Sequence, residues 1–218
     1  MLAYAITGAS GQFAPLVIDH LLARGVPPER VVALARTSER ATVPDGIAVR
    51  QADYDRPETL AAALQDVDRL LLVSGSEIGR RIPQHTAVVD AAREQGIAHL
   101  FYLSLLRADT TPLVIAPEHK ATESVITESG LPATFLRNGW YTENLTSAAP
   151  GYLAAGIIHH AAGEGRIAAA TRNDLAEAAA AAMLTDQPES VYELAGSAFT
   201  YAGLAAAITD VTGTRVTA

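Results

Sequence analysis

From residue 2 to residue 138, short apolar runs alternate with segments of helical spacing almost without interruption, and this rhythm constrains the fold more than any other feature. LAYAIT (2–7), RVVALA (30–35), IAVRQA (47–52), RLLLVS (69–74), HLFYLSL (99–105) and PATFLRN (132–138) are short and apolar enough to read as strands. Between them, APLVIDHLLARG (14–25) has helical spacing and ends at Gly25, and PQHTAVVDAAREQG (83–96) closes on a glycine. RPETLAAALQ (56–65) places proline at a helix start, where its missing N–H costs nothing, and PEHKATESVITESG (117–130) completes the series. Continuous apolar strands separated by helices predict an α/β fold: a doubly wound parallel sheet with helices on both faces.

After Asn138 the rhythm loosens. Residues 139–170 read as an excursion with a helix and a short hairpin around GEG (163–165). TRNDLAEAAAAAML (171–184) resumes helix, with Thr171 and Asp174 spaced like a capping box. SVYELAG (190–196) then reads as a strand and TYAGLAAAITDVTG (200–213) as a helix ending at Gly213. At 218 residues and 49% hydrophobic, the chain suffices for one full α/β domain with a small appendage.

The formal net charge of −8 disfavours nucleic acid and anionic lipid as partners. There is no cysteine, which removes disulfides, thiolate metal sites and thiol nucleophiles. Residues 1–6 lack the charged start of a signal peptide, and no apolar run reaches the roughly 18 residues of a membrane span, so the expectation is a cytoplasmic protein with no membrane partner.

The chemistry begins at Gly8-Ala9-Ser10-Gly11-Gln12-Phe13-Ala14, which follows the first strand and opens the first helix. Gly8 suits a tight turn, and Gly11 lets the backbone approach a pyrophosphate that the free N–H groups of the helix start can bind. A purely steric turn is the rival reading; the position in the first βαβ unit favours the phosphate loop. The second strand ends at Arg36, followed by Thr37 and Ser38, where an enzyme selecting NAD usually carries Asp or Glu. A guanidinium suits a 2′-phosphate, so NADPH is expected in preference to NADH. Asp53, at the end of the third strand, suits either an adenine amine or a local cap.

With these residues in place, the sequence resembles the NmrA-like group of atypical short-chain dehydrogenases. The likeness is to the branch of NAD(P)H:quinone oxidoreductases and triphenylmethane reductases. The matching stretches include AITGASGQFAPLVIDHLL, VRQADYDRPETLAAAL, LLLVSGSE, TFLRNGWYTEN and AAGEGRIAAATRNDLAEAAA. The resemblance implies a Rossmann-type NAD(P)-binding domain over 1–140. Over 141–218 it implies a substrate-lobe excursion (about 141–170) and returning Rossmann elements (about 171–218), with the C-terminal part of the lobe missing relative to the family. It places the phosphate loop on Gly8 to Phe13, the 2′-phosphate contact on Arg36 and further cofactor contacts on Ser74, Gly75 and Ser76. Asn138, Gly139, Trp140, Tyr141, Thr142 and Glu143 would line the nicotinamide end. Phe13 and Ala14 stand where the family usually has Leu and Gly, both packing positions.

Orthodox short-chain dehydrogenases use Tyr-x-x-x-Lys, with Glu commonly four residues after the lysine. In IAPEHKATE, Glu123 follows His119 by four, which puts His119 at the lysine position and Ile115 at the tyrosine position; Lys120 is one residue out of register. A quinone accepts hydride readily and its anion can be protonated by water, so direct transfer to a quinone-like small molecule is the expected activity. No catalytic residue is assigned; His119, Tyr141 and Ser104 are the polar candidates. His159-His160 carries no metal reading, since adjacent strand residues point to opposite faces. A non-enzymatic NADP(H)-binding redox sensor is the alternative, reduction of triphenylmethane dyes or an epimerase-like reaction a third, and a homodimer is compatible with the sequence.

Overall fold

Every apolar run of the first half becomes a strand in the computed structural model, which describes residues 3–218. In chain order the strands are β1 (Tyr4–Thr7), β2 (Val31–Ala35), β3 (Ala48–Gln51), β4 (Arg69–Leu72), β5 (His99–Leu105), β6 (Ala133–Asn138), β7 (Trp140–Tyr141), β8 (Ala169–Ala170) and β9 (Val191–Leu194). The helices are α1 (Ala14–Ala23), α2 (Glu58–Ala63), α3 (Arg81–Glu94), α4 (Ala116–Ser129), α5 (Thr142–Thr146), α6 (Ala149–Ala155), α7 (Arg172–Leu184) and α8 (Tyr201–Thr212). Two compact units result: one from residues up to Asn138 together with Asn173–Leu194, the other from Gly139–Arg172 and Ala195–Ala218.

The first unit is the expected doubly wound, Rossmann-like sheet. Among the described residues its strands run β3-β2-β1-β4-β5-β6-β9, all parallel. Strands β1, β2 and β4 are buried along their whole length because helices cover both faces. On one face Ala5, Leu34, Leu70, Leu72, Leu100 and Tyr102 pack against Leu60 and Leu64 near α2, Val88, Val89 and Ala92 of α3, and Ile126 of α4. Alternate strand residues, such as Ile6, Leu71 and Phe101, are equally buried on the other side. There α1 and α7 bury Val17, Ile18 and Leu21, and Leu175, Ala176, Ala179 and Met183. Their outer surfaces are joined by Arg24–Glu177 at 2.7 Å. Arg69, buried at the start of β4, donates to the carbonyls of Met183 (2.5 Å) and Thr185 (2.8 Å) and so closes the C-terminal end of α7. The order of strands reverses between β1 and β4, and in a sheet of this kind ligands bind outside the carboxyl ends at that point.

The second unit departs from the sequence reading in two ways. The GEG segment makes a turn, closed by Gly165 N–H to the Ala162 carbonyl at 2.8 Å, but no hairpin. Its flanks pair elsewhere, Ile157 in parallel with Thr217 and Ile167 antiparallel with Phe199. The return to the sheet is also shorter than 171–218, since the chain leaves the first unit again at Ala195. The reason is packing: Ala205 of α8 is buried with Ile158 and Val216, with Tyr152 and Leu153 of α6 against them. β7 and β8 form a short parallel pair. His160 stacks on Tyr201 with ring centroids 4.4 Å apart.

Candidate functional site

The loop after β1 is built for close approach. Gly8 has φ +72°, a left-handed conformation that side chains rarely adopt, and a Cβ at Gly11 would lie 3.1 Å from the Gly8 carbonyl oxygen. The turn is closed by Gly11 N–H to Gly8 O at 2.8 Å and tied to β2 by Ala9 N–H to Leu34 O at 3.0 Å. Ser10, Gly11 and Gln12 are exposed, and among the described residues no side chain caps the start of α1 by a hydrogen bond. Backbone donors therefore meet a surface that a side chain would fill, which fits a pyrophosphate.

Arg36 leaves the carboxyl end of β2 with its side chain 63% exposed and its Nη1 3.2 Å from Glu77 Oε1. Gln51 Nε2 donates to the Arg36 carbonyl (3.3 Å), anchoring the backbone beneath that side chain. Asp53 turns inward on its own loop: its carboxylate accepts the Asp55 N–H at 3.1 Å, an Asx turn. Tyr54 lies beneath, its hydroxyl 2.5 Å from Thr7 Oγ1 and 3.0 Å from the Val73 carbonyl, while Val73 N–H donates to Thr7 Oγ1 at 2.8 Å. Burial raises the Tyr54 phenol well above its ordinary pKa, so it stays a neutral tie between the ends of β1 and β4.

The loop after β4 is held from two sides at Gly75. Its N–H donates to His85 Nε2 at 3.1 Å, and its carbonyl accepts from Arg81 Nε at 2.6 Å. Thr122 Oγ1 uses its proton on the Glu118 carbonyl (2.9 Å), so it accepts from His85 Nδ1 at 3.0 Å. Together these contacts fix His85 as the neutral Nδ1–H tautomer with its Nε2 lone pair toward Gly75. Burial, reinforced by the neighbouring His119 and Arg81, pushes the His85 pKa down to about 3. Arg81 also pairs with Glu118 (2.7 Å), whose other oxygen accepts Gly79 N–H at 2.7 Å.

The inward side of α4 continues this seam. Ala116, His119, Thr122, Glu123 and Ile126 are its buried positions, a stripe at helical spacing that is largely polar. His119 Nδ1 lies 2.8 Å from the Tyr102 hydroxyl, and burial with Arg81 nearby lowers its pKa to about 4. Ser104 donates to Glu123 Oε1 at 2.5 Å. The Arg137 guanidinium grips the same carboxylate in a fork, 3.0 Å to Oε1 and 2.7 Å to Oε2, and reaches Glu193 at 3.0 Å.

The NAD(P)H-binding family matches residues 8–197. Quinone oxidoreductase 2 of Escherichia coli is 48% identical over 217 residues, covering 98% of this chain and 76% of that one. The chain belongs to the NAD(P)H-binding family. Within it the sequence sits in the NmrA-like branch, as its motifs implied. The crystal structure of the E. coli NADPH-dependent quinone oxidoreductase complexed with NADPH superposes with a TM-score of 0.94, covering 98% of this chain and 77% of that one. The Citrobacter sp. triphenylmethane reductase complexed with NADP(H) gives 0.93 at 37% identity, covering 99% and 78%.

For this family member, the fold brings Gly8–Phe13, Arg36 and Ser74–Ser76 to the carboxyl edge of the sheet, around the strand-order reversal. Asn138 ends β6 on the same edge, with Asn138 O accepting Leu106 N–H at 2.9 Å. Its carboxamide is buried, and neither its oxygen nor its nitrogen has a hydrogen-bond partner among the described residues. Residues 139–143 belong to the second unit. There the Glu143 carboxylate accepts Arg172 N–H (2.9 and 3.1 Å) at the start of α7, and the Arg172 guanidinium lies 4.9 Å over the Tyr141 ring. Sequence reading missed His85, Arg81, Glu118, Tyr102, Thr122 and Arg137. The available signal was Tyr102 and Ser104 two residues apart on one strand face, opposite polar residues spaced His119, Thr122, Glu123 on a helix.

Proposed function

We propose that this chain is an NADPH-dependent oxidoreductase that passes hydride to a quinone or a similar conjugated small molecule. The observation that carries the reading is an arginine, Arg36, at the end of β2 beside the glycine cradle, in a chain 48% identical to a quinone oxidoreductase. With the Ala9 and Gly11 N–H groups holding the loop in shape, the exposed backbone at Ser10 and Gln12 meets the pyrophosphate, and Arg36 meets the 2′-phosphate. Gly75, immobilised by His85 and Arg81, presents its loop to the cofactor as a preformed surface. The buried, unpartnered carboxamide of Asn138 is assigned to the nicotinamide end, where a polar group of the ligand would satisfy it. NADPH, when bound, supplies the hydride.

Ile115 and His119 stand at the tyrosine and lysine positions of the orthodox family, and this reading asks neither for a proton. His119 is neutral, 5% exposed and engaged by Tyr102. Ser104 is committed to Glu123. A quinone needs no acid to accept hydride, so holding cofactor and acceptor together is the main contribution asked of the protein.

The test is steady-state oxidation of NADPH against benzoquinones and naphthoquinones, with equilibrium binding of both cofactors to the parent and to Arg36→Ala. Turnover is expected, and Arg36→Ala should weaken NADPH by about 1.5–3 kcal/mol, roughly ten- to hundredfold, with little change for NADH. Tight cofactor binding without turnover on any quinone would favour the redox-sensor alternative. Equal losses for both cofactors would reduce Arg36 to a structural role.

A further inference from the structure

Arg36 has a partner from the neighbouring loop: Glu77 Oε1 lies 3.2 Å from its Nη1, with the two side chains 63% and 45% exposed. We propose that Glu77 is a specificity-determining residue, whose carboxylate takes the guanidinium contact that a 2′-phosphate would use. NADPH then has to displace it, and NADH does not. The inference rests on the NADPH reading of Arg36 and deepens it.

Three observations carry it. The backbone on either side of Glu77 is pinned, at Gly75 by His85 and Arg81 and at Gly79 by Glu118, so the carboxylate stays within reach of Arg36. The next two arginines along the loop are already matched, Arg80 with Asp55 at 2.6 Å and Arg81 with Glu118 at 2.7 Å, which leaves Arg36 as the cation that Glu77 meets. The Arg36 backbone is anchored by Gln51, so the guanidinium starts from a fixed root at the end of β2. A dianionic phosphate arriving at this guanidinium loses part of its gain to repulsion from Glu77. A cofactor with a plain 2′-hydroxyl leaves the ion pair standing. Glu77 thus narrows the preference that Arg36 creates, by weakening NADPH and leaving NADH as it is.

The experiment is calorimetric titration of NADPH and NADH into the parent, Glu77→Gln, Arg36→Ala and the double variant, each at low and at high salt. Glu77→Gln should tighten NADPH by roughly three- to tenfold, somewhat above the effect of an ordinary surface pair because the phosphate carries two charges. NADH should move by less than about twofold on the same scale. The gain should vanish in the Arg36→Ala background and shrink at high salt. If Arg36→Ala is selective for NADPH but Glu77→Gln leaves NADPH unchanged or weaker, this proposal is overturned and the cofactor reading survives. If Arg36→Ala affects neither cofactor selectively, both are overturned.

Discussion

Lowering the pH from 7 to 5 should remove about 4 kcal/mol of stability from this fold, because two buried histidines must stay neutral to keep their contacts. His85 is fully buried and its pKa lies near 3, while His119 is 5% exposed and lies near 4; both start from an ordinary value of 6.5. In the unfolded chain each ring takes up a proton as the pH falls through 6.5, whereas in the folded chain neither does until the depressed values are reached. The stabilising contribution is therefore complete at about pH 7 and above and is lost progressively on acidification, at a rate that approaches about 1.4 kcal/mol per pH unit and ring below about pH 6. Between pH 7 and 5 each ring loses about 2 kcal/mol, a large fraction of the 5–15 kcal/mol typical of a folded domain. His99, whose pKa is also lowered by burial and by Arg69, acts in the same direction. Unfolded carboxylates titrate near pH 4 and contribute little in this window. Urea unfolding at pH 7, 6 and 5 measures the slope directly, and His85→Gln should lower it by one proton. A slope of one proton or less near pH 5, or a slope there untouched by His85→Gln, would refute the reasoning.

Two more consequences follow from the same seam. Replacing His85 with Phe leaves the Gly75 N–H and the Thr122 hydroxyl without their partner, a loss of about 1–3 kcal/mol that should appear partly as NADPH affinity weakened by up to about tenfold. Gln, which can still accept from Gly75, should recover most of it, and equal binding by the Phe and Gln variants would show that the Gly75 contact does not matter. Glu123→Ala strips the partly buried Arg137 of its bidentate partner, and with Glu193 and Asp109 still in reach the cost should be no more than the low end of the range for a broken buried pair, about 3 kcal/mol. At about 2–4 °C per kcal/mol for a chain of this size, that is a fall in Tm of roughly 6–12 °C, measurable by calorimetry. The double variant Glu123→Leu, Arg137→Met should lose less.

The sheet was legible because burial on both faces leaves a strand little choice but continuous apolar sequence, as in VVALA and RLLL. Where burial relaxes, at the edge strand β3, Arg50 and Gln51 enter without harm; Arg50 even donates to the carbonyls of Ala63, at the end of α2, and Gln65 just after it. The glycine cradle was legible because a positive φ at a strand–helix turn selects glycine in the chain itself. The histidine clamp on Gly75 was not. Its parts come from α3 and α4, and His85 meets Thr122 across 37 positions, a pairing that local periodicity does not encode. The supposed hairpin at GEG failed for a related reason. Its turn is local and real, but the partners of its flanks, Phe199 and Thr217, arrive only at the end of the chain.

An apolar stripe on α4 would have packed against β5 and β6 in several neighbouring registers, since dispersion is indifferent to small slides. The observed stripe is selective. His119 must meet Tyr102, Thr122 must meet His85, and Glu123 must meet both Ser104 and Arg137. Sliding the helix by one residue would leave several buried polar groups unpaired, each costing about 1–3 kcal/mol. The register of α4 is thereby fixed, and with it Glu118 on the same turn as His119, which holds Gly79 N–H and Arg81. Arg81 in turn holds Gly75, so the loop after β4 inherits the position of a helix more than thirty residues further along the chain. The loop after β4 is tied to the core beneath it by one continuous chain of hydrogen bonds, from Gly75 through His85 to Thr122 and through Arg81 to Glu118.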